Sequence, residues 1–170
     1  MNPNANIEVS LKIILRNKKG EVLLLKNPDS SSLAGSFDLP GGRIHQAEMR
    51  APLVRAFARE VREELGSKVK YDLREVPVAI GRHWYDSRSK KERQYIFWLL
   101  FEGIYKGGEI KLSEEHVEYR WVKLTKANYR KYFVRDALES MENYFFEKFS
   151  KNKMQSYSVK IILWTAYSAK

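Results

Sequence analysis

The stretch from Leu53 to Gly66, Leu-Val-Arg-Ala-Phe-Ala-Arg-Glu-Val-Arg-Glu-Glu-Leu-Gly, constrains this chain more than any other. Val54, Phe57, Val61 and Leu65 recur at spacings of three and four, the period of an α-helix with one buried face. Pro52 stands where a first helical turn tolerates proline, and Gly66 supplies a C-terminal stop. Glu60, Glu63 and Glu64 fall within one turn, about a quarter turn from the apolar set. Like charges at that spacing repel, so the cluster costs stability unless something positive lies among them. The apolar face anchors the helix and holds the three carboxylates on a rigid support. As hard oxygen donors they suit magnesium or manganese. The alternative is a solvated acidic face, a common fate of Glu-rich turns.

Around this helix the pattern is that of strands. Ile7 to Arg16 alternates and then runs apolar, Asn17 to Gly20 turns, and Glu21 to Lys26 returns as the second arm of a hairpin. Asn27 to Ser36 reads as a loop and Phe37 to Gly42 as a tight turn. Val76 to Arg82 and Gln94 to Tyr105 read as strands joined by the charged loop Ser87 to Arg93. Gly107-Gly108 turns the chain, Tyr119 to Val122 is a short strand, and Lys126 to Phe149 reads as a second, aromatic-rich helix. A mixed sheet with two long helices, one inserted after the first hairpin, is an α/β (α+β) sandwich.

At 170 residues the chain is expected to form one domain over residues 1–150, with residues 151–170 a tail of unassigned role that contains the apolar patch Ile161 to Trp164. There is no cysteine, which removes disulfides and thiolate chemistry. No apolar run approaches the roughly 20 residues that span a bilayer. Met1 to Ile7 lacks the pattern of a secretory signal, so a cytoplasmic location is expected. The net charge of +10 favours polyanions in principle. The basic residues are dispersed, however, and no nucleic-acid-binding motif accompanies them, so a small nucleotide is favoured over nucleic acid.

The acidic helix keeps unusual company. Leu39-Pro40-Gly41-Gly42-Arg43-Ile44 lies upstream, with Glu48 six residues beyond Gly42. Two glycines let the backbone approach a ligand and offer carbonyl or amide groups to a metal or phosphate. Together these segments resemble the Nudix signature: Gly, five residues, Glu, seven residues, then Arg-Glu-apolar-any-Glu-Glu-any-Gly-apolar. Gly42 and Glu48 match the first elements, and Arg59, Glu60, Val61, Glu63, Glu64 and Gly66 match the second block. The sequence departs from the pattern in two places. Ten residues, Met49 to Ala58, separate Glu48 from Arg59, and Ser67 stands where an apolar residue is usual. The three extra residues are expected to lengthen the loop around Pro52. Phe37-Asp38-Leu39-Pro40-Gly41-Gly42 is similar to the family's aromatic lead-in, and Glu114 to Val122 to its late Glu-rich loop and strand.

The resemblance implies an α/β/α sandwich with the mixed sheet between helices. It also implies a metal-dependent hydrolase of the diphosphate bond in a nucleoside diphosphate derivative or nucleoside triphosphate. Glu60, Glu63 and Glu64, with the Gly42 carbonyl, would hold Mg2+ or Mn2+. Arg59 would orient a carboxylate. Glu115 or a helix carboxylate would serve as base, with Glu118 and Glu114 as competitors. Phe37, Arg43 and Glu48 would face the substrate. His45, His83 and His116 read as structural or surface residues, with His116, beside Glu115, the strongest exception. Of the aromatics Trp84, Tyr85, Tyr95, Phe97 and Trp98, either Phe97 or Trp98 is expected in the core. The isomerase branch of the same fold needs an acid with a cysteine partner, and this chain has none. A silent module that binds nucleotide or RNA is the alternative from another class, and loss of the helix carboxylates would mark it.

Overall fold

The computed structural model describes residues 7–31, 34–87, 92–134 and 136–150. The tail 151–170 and the middle of the charged loop, 88–91, lie outside the described residues. The elements in chain order are β1 (Ile7–Arg16), β2 (Val22–Lys26), β3 (Phe37–Asp38), α1 (Leu53–Leu65), β4 (Lys70–Leu73), β5 (Ala79–Ser87), β6 (Glu92–Gly107), β7 (Glu118–Val122) and α2 (Asp136–Ser150).

The strands form one mixed sheet. β1 and β2 make the expected antiparallel hairpin, closed at Arg16↔Val22, and β1 pairs in parallel with β6 from Ile7↔Tyr95 to Arg16↔Ile104. β5 and β4 share the other edge of β6, while β3 and β7 both pair with β2. Strand alternation divides the core into two layers. Leu11, Ile13, Leu15, Leu23 and Leu25 pack with Ala56, Phe57, Val61 and Leu65 of α1. Ile14, Val22 and Leu24 point the opposite way and pack with Met141, Tyr144 and Phe145 of α2. The result is an α/β/α sandwich, the layering that the family resemblance implies. Among the described residues no helix is long and apolar enough to cross a membrane.

Several local expectations are corrected. Val54 is 38% exposed, and Ala56 takes its place in the buried stripe of α1. Phe37 and Asp38 form a short strand instead of a turn, because Lys26 and Leu25 of β2 offer them a free edge. β4 is absent from the sequence pattern, being four residues of mixed polarity held by pairing with β6. The strand predicted from Val76 begins at Ala79 and runs on to Ser87. The second helix starts at Asp136 and not at Lys126. Between Lys123 and Tyr132 the Asn128 side chain accepts from Thr125 N (2.8 Å) and donates to Lys123 O (2.9 Å). Such side-chain to backbone bonds compete with helix, leaving a single 3-10 turn at Tyr129–Lys131.

Candidate functional site

The Pro-Gly-Gly segment lies alongside the first half of β1. Ile13 N donates to Pro40 O (2.9 Å), Leu11 N to Gly42 O (2.8 Å) and Ile44 N to Val9 O (3.0 Å). The two glycines are not equally constrained. Gly41 has φ +117°, and a Cβ there would stand 2.2 Å from Leu11 O. At Gly42 a Cβ would stand 2.6 Å from Glu60 Oε1, so any side chain there would push the Glu60 carboxylate from its present position.

Arg59 organises that helix face. Its Nε and Nη2 grip the two oxygens of Glu48 at 2.8 and 2.9 Å. Nη1 donates to Glu60 Oε1 (2.8 Å) and Glu63 Oε2 (2.9 Å), and Nη2 also reaches Arg43 O (2.9 Å). All five guanidinium N–H groups are thereby committed. Arg59 is the positive charge that the repelling carboxylates require. Its bonds, with a further one from His45 N (2.8 Å), hold the Glu48 carboxyl at about 2, well below its ordinary 4.5. Burial pushes the Glu60 carboxyl up, Arg59 pulls against it, and Glu64 and Glu63 add to the rise.

The three helix carboxylates differ in setting. Glu60 and Glu64 are buried, whereas the Glu63 side chain is 55% exposed. Glu64 Oε2 accepts from Gly41 N (2.7 Å), and its other oxygen faces His116 Nε2 at 3.5 Å. His116 and Glu115 arrive there because the segment 111–116 binds the carbonyls at the end of α1. Lys111 N donates to Leu65 O (2.9 Å) and Ser113 N to Glu64 O (3.2 Å). One donor atom each from Glu64, Glu115 and His116 lies within 4.8 Å of the others.

Arg59, Glu60, Glu63, Glu64 and Glu115 line a cavity of about 440 Å³ that also includes Gly41, Gly42, Arg43 and His45, with Ile96 and Trp98 as its apolar part; His116 stands behind Glu64 and is not among the lining residues. Ser10 and Lys12 of β1 line it as well. Lys12 is buried, and its ammonium donates to Asp38 Oδ2 (2.8 Å), Leu39 O (3.2 Å) and Gly41 O (2.5 Å). The ammonium also sits 5.3 Å from the Trp98 ring centroid. Burial alone would lower the Lys12 pKa, but Asp38, Glu64 and Glu60 more than offset this, and it lies above the usual lysine value.

The sequence-predicted residues thus divide. Arg59, Glu60, Glu63, Glu64, Gly42, Arg43 and Glu115 line one cavity. Glu48 is not among its lining residues, because both its oxygens are taken by Arg59. Phe37 is also diverted: it is buried in the core, edge-on to Tyr132, with ring centroids 5.8 Å apart. Glu118, the rival base, pairs with Arg120 and Lys26 and does not line the cavity. Of the aromatics, Trp98 is buried. The side chains of His83 and Tyr85 lie outside the described residues. Lys12 and Asp38 were not predicted. The signal for Lys12 is a lone charge inside the apolar run Leu11 to Leu15.

Residues 7–144 match the profile of the NUDIX domain. The chain belongs to that family. This Nudix chain is 31% identical over 115 residues to the nucleoside triphosphatase NudI of Escherichia coli O139:H28 (strain E24377A / ETEC), covering 61% of this chain and 74% of the relative. Among solved structures it is similar to the MutT protein from Methanosarcina mazei Go1, at 28% identity and TM-score 0.63, covering 88% of this chain and 98% of that one. The E. coli ORF135 protein, at 19% identity and TM-score 0.55 over 98% of this chain and 96% of that one, shares the fold. The Nudix chain is an enzyme of the pyrophosphohydrolase family, and the helix carboxylates whose loss would mark a silent module are all present.

Proposed function

We propose that this Nudix enzyme hydrolyses the diphosphate bond of a nucleoside triphosphate or nucleoside diphosphate derivative with the help of magnesium or manganese. The observation that carries this is the gathering of Glu60 and Glu63, held by Arg59, and Glu64, held by Gly41 N, on the wall of a polar cavity large enough for a small nucleotide. The NudI relatives, named as nucleoside triphosphatases, support the substrate class.

The donor set suits a hard divalent cation. Glu60, Glu63 and Glu64 would hold it, and the Gly42 carbonyl, which accepts one bond from Leu11 N, keeps a second lone pair for it. Bound there, the ion supplies charge neutralisation on the phosphates and acidifies the attacking water. Arg59 keeps Glu60 and Glu63 in place, and the Gly41 amide fixes one oxygen of Glu64. Glu115 accepts the proton of the water at its carboxylate. The water oxygen then bonds to phosphorus, and the bridging oxygen leaves with the second phosphate. Arg43, held by Glu8 at 2.9 Å, lies in the same cavity and meets the phosphate charge.

A panel of nucleotides assayed with magnesium for released phosphate or pyrophosphate tests the proposal. Turnover should stop with a chelator and return when metal is restored. Chelator-resistant turnover would refute the metal dependence, and a panel cleaved nowhere would refute the substrate class.

A further inference from the structure

We infer that His116 adds an imidazole nitrogen to this metal site, so that the enzyme binds transition ions such as Mn2+ and Co2+ in preference to Mg2+. The inference rests on the metal-dependent function proposed above and concerns which ions the site selects.

The His116 side chain is only 7% exposed. Its Nδ1 is buried with no hydrogen-bond partner among the described residues. Its Nε2 stands 3.5 Å from Glu64 Oε1, at the far limit for a hydrogen bond. That separation instead matches two ligands of one ion. Bonds of about 2.1 Å set at roughly 90–110° place donor atoms about 3.0–3.5 Å apart. Glu64 is prepared for such a role, because Gly41 N occupies Oε2 and leaves Oε1 toward the ring. Glu115, the base of the mechanism proposed above, keeps a carboxylate oxygen within 4.8 Å of both donor atoms, close enough to serve a water on the ion that they would share.

The backbone holds the imidazole in place from two sides. Ser113 N binds Glu64 O (3.2 Å), His116 N donates to Ser113 O (3.4 Å), and Val117 N is tied to Lys26 O of β2 (3.1 Å). At 3.5 Å from Glu64 Oε1 the Nε2 lone pair makes at best a long hydrogen bond, and a cation held by the neighbouring carboxylates offers it a full bond instead. Carboxylate and carbonyl oxygens suit magnesium, whereas imidazole shifts affinity toward later divalent ions along the Irving–Williams order.

The test uses the full chain, stripped of metal, with Mg2+, Mn2+ and Co2+ as probes. Calorimetric titration gives each dissociation constant, and pulsed electron paramagnetic resonance of the Mn2+ complex reads directly bonded ¹⁴N. Wild type should show the nitrogen coupling. In His116→Asn, which offers oxygen where nitrogen stood, the coupling should vanish. Co2+ affinity should then fall about tenfold or more while Mg2+ affinity moves by less than about threefold. Absence of ¹⁴N coupling in wild type overturns the inference whether or not the variant folds. Equal losses for Co2+ and Mg2+ also overturn it, since they mark a histidine that only positions Glu64. If wild type binds Mg2+ with affinity unaffected by Glu63→Gln, the carboxylate site itself has failed, and this inference falls with it.

Discussion

Replacing Lys12 with methionine removes a buried cation while keeping most of its volume. The ammonium binds Asp38 at 2.8 Å and the carbonyls of Leu39 and Gly41 at 3.2 and 2.5 Å, and its side chain is 7% exposed. Breaking a buried pair from one side costs about 3–5 kcal/mol, because the partner charge is left behind. Asp38 is 18% exposed and one of its oxygens still accepts from Leu39 N at 2.7 Å, which places the loss at the lower end, about 3 kcal/mol. For a domain of this size that corresponds to a fall in Tm of roughly 6–12 °C. Urea unfolding at neutral pH measures the change in free energy directly. The double variant Lys12→Met with Asp38→Leu should recover at least about 1 kcal/mol, since the stranded carboxylate is gone. The variant should also loosen Gly41, whose amide fixes Glu64, and weaken magnesium binding. A single variant within about 0.5 kcal/mol of wild type, or a double variant no better than the single, would refute the account.

Three further outcomes follow from the same structure. Glu63→Gln should lower turnover about a hundredfold or more and shrink stabilisation by magnesium. Its metal-free stability, read by urea unfolding, should stay within about 0.5 kcal/mol because Arg59 already offsets the repulsion; normal hydrolysis would remove Glu63 from the site. Phe57→Ala should cost about 3–5 kcal/mol in the same assay, since the ring is fully buried edge-on to Phe101 at 4.8 Å; a loss below 1 kcal/mol would show that the layer under α1 is not packed as described. The Glu48 carboxyl lies at about 2 when folded and 4.5 ordinarily, a depressed value, so its pairing stabilises the fold above 4.5 and is lost as pH falls through 2. A ¹³C titration of Glu48 with a midpoint near 4.5 would contradict the Arg59 clamp.

What could be read from the chain alone is what depends on short-range spacing. The 3.6-residue period places Phe57, Val61 and Leu65 on one side of α1 and brings Glu60, Glu63, Glu64 and Arg59 together within about a turn, whatever surrounds them. The alternation of Ile7 to Arg16 and the turn at Gly20 define the first hairpin for the same reason. Even there burial was settled elsewhere, since Val54 continues the period yet faces solvent. Contacts between distant segments needed the tertiary structure. Lys12 meets Asp38 only because residues 40–44 run beside β1. His116 and Glu115 reach Glu64 only because the segment 111–116 closes the end of α1, and Phe37 turns into the core because β2 offers it an edge. Glu48 has the family spacing to Gly42, but a guanidinium eleven residues away claims it. Local periodicity is a property of the backbone helix or strand itself, whereas these encounters depend on sheet register and loop path, which emerge only when both core layers close.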